Sequence, residues 1–150
     1  AGKRRTGNPS SHGRVRWGCT AWVDAMILGV GIDLVEVGRI RDSLERLGER
    51  FARRILCTAE YDYCFDHKDP STHVAARFAA KEAVSKAFGT GIGTEIGWLD
   101  IEVVRLDNGS NQVQLHGPGA LLFQRRSARM VHLNLTHTAQ YASAVAILES

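Results

Sequence analysis

The sequence predicts a compact α+β fold, with a mostly antiparallel sheet and a central Ala-rich helix. Three observations predict it. The segments read in the order strand, helices, hairpin, helix, hairpin, a pattern of tight antiparallel connections. The chain has 150 residues, 44% hydrophobic and 23% charged, enough for one domain with a real core and hardly for two. The clearest helical signal, STHVAARFAAKEAVSKAF (71–88), lies in the middle of the chain and is rich in Ala. The same composition excludes wholesale disorder and any Pro-rich or collagenous architecture.

The first segment stands apart. Residues 1–25 carry Lys3, Arg4, Arg5, Arg14 and Arg16 against Asp24 alone. The remaining 125 residues carry 14 basic and 15 acidic groups, so the formal charge of +3 and the pI near 9.0 belong to the first 25. That segment has no helical or strand period. It reads as a basic leader, tag or disordered extension (1–25) before a folded domain (26–150). A nucleic-acid partner would have to use this arm, so none is expected for the folded part. Asp24 interrupts anything like a signal peptide, and the apolar run 25–32 is far too short for a bilayer. Cys19, Cys57 and Cys64 are odd in number and lack metal-type spacing, which fits a reducing, cytoplasmic setting without membrane attachment.

Ile27 to Glu36 reads as the first strand. Leu28, Val30, Ile32 and Leu34 share one face. Gly29, Gly31, Asp33 and Val35 lie on the other, where two glycines leave room for something to approach the backbone. An amphipathic helix follows over about Val37 to Leu47, with Ile40, Leu44, Leu47 and Phe51 in one stripe. Arg39, Arg46, Arg50 and Arg53 share another face if the helix continues past Gly48, though Gly48 is placed to end it. Six arginines and three acids fall between Arg39 and Arg54. Such a run serves as a solvated face with ion pairs, or as a dock for an acidic partner that uses the planar guanidinium fork.

Thr58 is positioned to cap a short helix through Tyr61 and Phe65. Ser71 or Thr72 caps the central helix, and Gly89 stops it. Trp98 to Leu106 and Gln112 to Leu115 read as strands joined by Asn108-Gly109, a strong hairpin signal. Pro118 opens a helix with Leu121, Leu122 and Arg125. Val131 to Leu135 and Ala142 to Leu148 close the chain as strands.

The central helix carries the chemistry-bearing residues. Arg77 and Lys81 share one side, Glu82 and Lys86 another, with Ala75 and Ala79 beside the second pair. Glu82 and Lys86 read equally as a surface ion pair. If Asp33 meets Glu82, two hard carboxylates could hold Mg²⁺, with Lys86 offsetting phosphate charge. The run GTGIG after the helix stands in the wrong context for a phosphate loop and is explained as a helix stop. His137 ends a strand beside Thr136 and Thr138, with no triad motif and no zinc spacing around it.

Four blocks, GIDLVEVGRI (31–40), RFAAKEAVSKAFGTGI (77–92), WLDIEV (98–103) and LNLTHT (133–138), resemble the holo-[acyl-carrier-protein] synthases. These are the small, stand-alone 4′-phosphopantetheinyl transferases. The resemblance spans Met26 to about Glu149. It implies transfer of the 4′-phosphopantetheine arm of coenzyme A to a serine of apo acyl carrier protein, in fatty acid biosynthesis, releasing 3′,5′-ADP. It implies Asp33 and Glu82 as Mg²⁺ ligands and Glu82 and Lys86 as catalytic residues. Arg77, Lys86, Gly89, His137 and Thr138 would line the coenzyme A site. Arg39, Arg46, Arg50 and Arg54 would grip the acidic carrier protein. It further implies a homotrimer with active sites at subunit boundaries. The base for the carrier serine is Glu82 or a metal-bound water, and the residues do not choose. Asn134 stands where the family usually has Ser. A Mg²⁺-dependent phosphatase of small nucleotides would use the same two acids.

Overall fold

The computed structural model describes residues 25–150. The expected leader therefore lies, but for Ala25, outside the described residues. In chain order the elements are β1 (Ile27–Glu36), α1 (Val37–Leu47), α2 (Glu49–Ile55), α3 (Thr58–Phe65) and α4 (Ser71–Ala87). A 3₁₀ turn (Trp98–Asp100), β2 (Ile101–Arg105), β3 (Asn111–Leu115), α5 (Gly117–Arg125), β4 (Met130–His137) and β5 (Tyr141–Glu149) follow. The strands form two sheets, β1-β5-β4 and the hairpin β2-β3, and every described pairing is antiparallel.

The core lies between α4 and the three-stranded sheet. Ala75, Ala76, Ala79, Ala80, Ala83 and Ala87 of α4 are buried, as are Ala142, Ala144, Ala146 and Leu148 of β5. Small side chains on both surfaces let helix and sheet approach closely. The approach is tightest at β1. A Cβ at Gly31 would collide with the Ala83 carbonyl oxygen, and one at Gly29 with that of Ala87. The space left by these glycines is therefore filled by the α4 backbone. Ala75 and Ala79, on the Glu82 side of α4, are fully buried.

This arrangement puts Asp33 and Val35 on the inner face, toward α4. It leaves Leu28, Val30, Ile32 and Leu34 on the outer one, where all four are exposed. The alternation in β1 thus records a helix-facing side of small residues and an outer apolar side.

Several boundaries differ from the sequence expectation for local reasons. Gly48 takes φ 59° and ends α1, and α2 starts directly after it. The stripe breaks there: Ile40 is buried but Leu47 is exposed. The arginines past Gly48 accordingly sit on a separate helix. The cap of α3 is Cys57, whose amide donates to Glu60 at 2.8 Å, so Thr58 is the first helical residue. The start of α4 is held by Asp69, which accepts from the Ser71 amide at 2.9 Å. Trp98 to Asp100 form a 3₁₀ turn instead of strand, and the Asp100 carboxylate accepts from the Gly97 amide at 2.6 Å.

Candidate active site

The two acids singled out in the sequence come from facing elements. Asp33 projects from the inner face of β1, and Glu82 sits on α4 one residue before Ala83, which packs on Gly31. Burial, and then the Asp33 charge, holds the Glu82 carboxyl above its ordinary range, with Lys86 pulling the other way. Lys86 turns away from its neighbour on the helix. Its Nζ donates to Asp33 Oδ1 at 2.7 Å and to the Ile32 carbonyl at 3.2 Å. The Glu82–Lys86 surface pair that the spacing allowed is replaced by a bridge from α4 to β1.

The site therefore holds two carboxylates and one ammonium, and carries an excess of negative charge. That excess is what a divalent cation relieves. Among the described residues no cluster of three or more His, Cys, Asp or Glu gathers into a metal cage. Asp33 and Glu82 suit a hard cation that keeps water and substrate oxygens as its other ligands, as Mg²⁺ does.

A second cluster lies toward the start of α4. Arg77 is 3% exposed, its guanidinium lies 4.1 Å from the Tyr63 ring centroid, and its Nε has no hydrogen-bond partner. Arg105 donates to the Tyr63 hydroxyl at 2.7 Å. His73 packs against His67, with centroids 3.8 Å apart and ring planes tilted by 31°, and meets His137 edge-on at 5.4 Å. Arg77 and His137, drawn from distant parts of the sequence, thus belong to one basic aromatic cluster. Thr138 follows at the β4–β5 turn, where its hydroxyl accepts from the Gln140 and Tyr141 amides. The Gln140 carbonyl then accepts from the Val37 amide at 2.8 Å, tying this turn to the start of α1. Gly89 takes φ 78°, and its amide donates to the Lys86 carbonyl.

The arginine run divides into two sets. Arg41 pairs with Asp69 at 3.1 Å, and Arg53 pairs with Glu49 at 2.6 Å and lies over Tyr61. Arg39, Arg46, Arg50 and Arg54 are exposed and form no ion pair among the described residues. Arg39 and Arg46 rim a groove of about 480 Å³ whose apolar wall includes Val35, Ile40, Phe51 and Phe78.

Sequence reasoning missed the partners of two residues. Lys81 and Glu60 are fully buried and pair at 2.6 Å. Lys81 Nζ also donates to the carbonyls of Ile55 and Trp98, and Glu60 accepts from the Val103 amide. This junction ties α2, α3, β2 and the 3₁₀ turn to α4 one residue from Glu82. His67 and His73 were missed as well. The i, i+4 spacing of His73 and Arg77 was the available signal for one of them. Neither of the two cysteines among the described residues offers a nucleophile: burial pushes the Cys57 thiol up to about 11 and the Cys64 thiol to about 12.

The model of the 4′-phosphopantetheinyl transferase superfamily matches residues 29–146. A holo-[acyl-carrier-protein] synthase of Koribacter versatilis is 48% identical over 124 residues, 83% of this chain and 99% of the relative. One from Chlamydia trachomatis is 46% identical over 82% of this chain and its own full length. Among solved structures, the Bacillus anthracis synthase in complex with CoA (3′,5′-ADP) superposes with a TM-score of 0.71 at 39% identity, covering 83% of this chain and 98% of that one. The Neisseria meningitidis synthase superposes with a TM-score of 0.78 at 29% identity, covering 83% and 100%.

Proposed function

Since the chain belongs to the 4′-phosphopantetheinyl transferase superfamily, among the holo-[acyl-carrier-protein] synthases, we propose that it transfers 4′-phosphopantetheine from coenzyme A to a serine of apo acyl carrier protein, with Mg²⁺, in fatty acid biosynthesis. The observation that carries this reading is the meeting of Asp33, Glu82 and Lys86 between β1 and α4.

In the proposed reaction the serine oxygen attacks the phosphorus that bears pantetheine, and 3′,5′-ADP leaves. Asp33 and Glu82 would hold Mg²⁺, which polarises the diphosphate and stabilises the leaving nucleotide when bound. Lys86 has used two N–H donors on Ile32 and Asp33, leaving the third for a phosphate oxygen. Its charge offsets the charge that grows there. The serine proton would pass to Glu82 or to a metal-bound water. Arg77, His137 and Thr138 would face the nucleotide end, with Gly89 beside the pantetheine path.

The carrier protein would dock on Arg39, Arg46, Arg50 and Arg54, the arginines without acid partners. The outer face of β1 would be covered by further copies of the chain, as a homotrimer requires. No helix among the described residues is long and apolar enough to cross a membrane. The free thiols Cys57 and Cys64 fit a cytoplasmic setting.

Mass spectrometry of apo carrier protein incubated with coenzyme A and Mg²⁺ tests the reading. The expected result is a gain of about 340 Da, the mass of the covalent group carried by the cofactor. Asp33→Ala and Glu82→Ala should each abolish it, and unimpaired labelling by both would overturn the site.

A further inference from the structure

The basic cluster at the start of α4 is missing a counter-ion. A buried cation is normally paired, because leaving water is costly. Yet Arg77 is buried with an unpartnered Nε, and neither Arg77 nor Arg105 enters an ion pair among the described residues. The groups that act on His73 come from every side. They are His67 beyond α3, Arg77 one turn along α4, Arg105 on β2 and His137 on β4. No carboxylate is among them. Tyr63 completes the cluster as a neutral ring beneath both guanidinium groups.

The two packed imidazoles add something the arginines do not. His67 Nδ1 donates to the Tyr63 carbonyl at 2.9 Å, which fixes that ring's orientation and leaves Nε2 on its far edge. His73 lies against this fixed ring on one side and His137 on another. Burial and the surrounding positive charge favour its neutral form in the free protein.

We propose that His73, held between His67 and His137, is a further binding residue for the phosphomonoester end of the co-substrate and takes up a proton when that dianion arrives. This rests on the coenzyme A reading, in which the phosphomonoester is the 3′-phosphate. The incoming dianion supplies the negative charge the cluster lacks. It converts the His73 imidazole to imidazolium, with the proton drawn from buffer. The sign follows from linkage. A ligand that raises the pKa of a group binds with proton uptake, and binds more weakly as pH rises. Arginines alone would not do this. They stay charged throughout and would, if anything, draw a proton off the phosphate.

The test is calorimetric titration of the full chain with coenzyme A and with dephospho-coenzyme A. Both are run in Mg²⁺ at pH 7.5, in two buffers of different ionisation enthalpy. Coenzyme A should bind with net proton uptake, and dephospho-coenzyme A without it. Uptake of half a proton corresponds to an affinity loss of about threefold per pH unit. His73→Phe keeps a ring in the cluster without a titrating nitrogen, and His73→Gln keeps polarity without a ring. Both should lose most of the uptake. Wild-type binding without uptake, or equal uptake in His73→Phe, overturns the inference while leaving the coenzyme A reading intact. Absence of any coenzyme A binding to the wild-type chain overturns both.

Discussion

The Glu82 carboxyl is held above its ordinary range by burial and by Asp33, and this has a consequence for pH dependence. A carboxylate binds a cation only when deprotonated. Raising its pKa moves the loss of that form to higher pH, so protonation competes with Mg²⁺ sooner as the solution is acidified. The Mg²⁺ concentration for half-maximal labelling should therefore rise as pH falls below neutrality, approaching tenfold per pH unit once Glu82 is mostly protonated. Asp33→Asn removes the charge that adds to the shift. In that variant the pH dependence should move toward the acid side, while overall Mg²⁺ affinity drops. The same pH profile in both proteins would show that Asp33 does not act on Glu82. The identity of the residues at this site was legible from the motifs and from i, i+4 spacing. Their partners were not. Lys86 has two acids within reach, one on its own helix and one on β1, and only the helix–sheet approach decides for Asp33. Lys81 and Glu60 are 21 positions apart in sequence, and no local period links them.

At the scale of elements, β1 and α1 were legible from long apolar periodicity, and α4 from its run of alanines. Boundaries failed where side chains compete locally for backbone amides, as Asp69 does at Ser71 and Asp100 at Gly97. The arginine pattern needed the structure, because a positive-φ glycine splits it between α1 and α2. What the two helices then present is a division of labour. Arg41 and Arg53 are neutralised within the chain, while Arg39 and Arg46 stand free along the groove lined by Ile40 and Phe51. Replacing Arg46 with Ala should raise the KM for carrier protein on the order of tenfold, or about 1.4 kcal/mol. Arg53→Ala should change it far less. The difference between the variants should shrink in high salt, since exposed charges act through screened fields. Steady-state labelling at two ionic strengths measures this. Equal effects from Arg46 and Arg53 would place the carrier elsewhere.

On the whole molecule, the two faces of the β1-β5-β4 sheet are unequal. The inner face is sealed by α4. The outer face carries Val30 at 58%, Ile32 at 66% and Leu34 at 66% exposure on β1, joined by Tyr141 and Val145 on β5. Contiguous apolar surface of this kind marks an interaction site in soluble proteins. Burying each such side chain contributes about 1.5–3 kcal/mol, a driving force that disappears if the strand faces water. The periodicity in β1 showed that one face was apolar, but a sequence cannot say whether such a face meets the chain's own core or another copy. The glycines show which face α4 covers, because they admit its backbone, and they lie opposite the large residues. Val30 lies opposite Ile147 of β5 and away from the Asp33 site, so it reports on assembly without touching the acids. On the proposed homotrimer, Val30→Asp should convert the assembly to a single protomer in sedimentation velocity, with its helical circular dichroism intact. Leu121→Asp, at an exposed leucine on α5 outside this sheet, should leave the assembly unchanged. Wild-type mass retained by Val30→Asp would exclude this face as the interface between copies. If the site also needs a neighbouring subunit, the dissociated variant should lose labelling in proportion to the protomer fraction, and raising its concentration should restore both together.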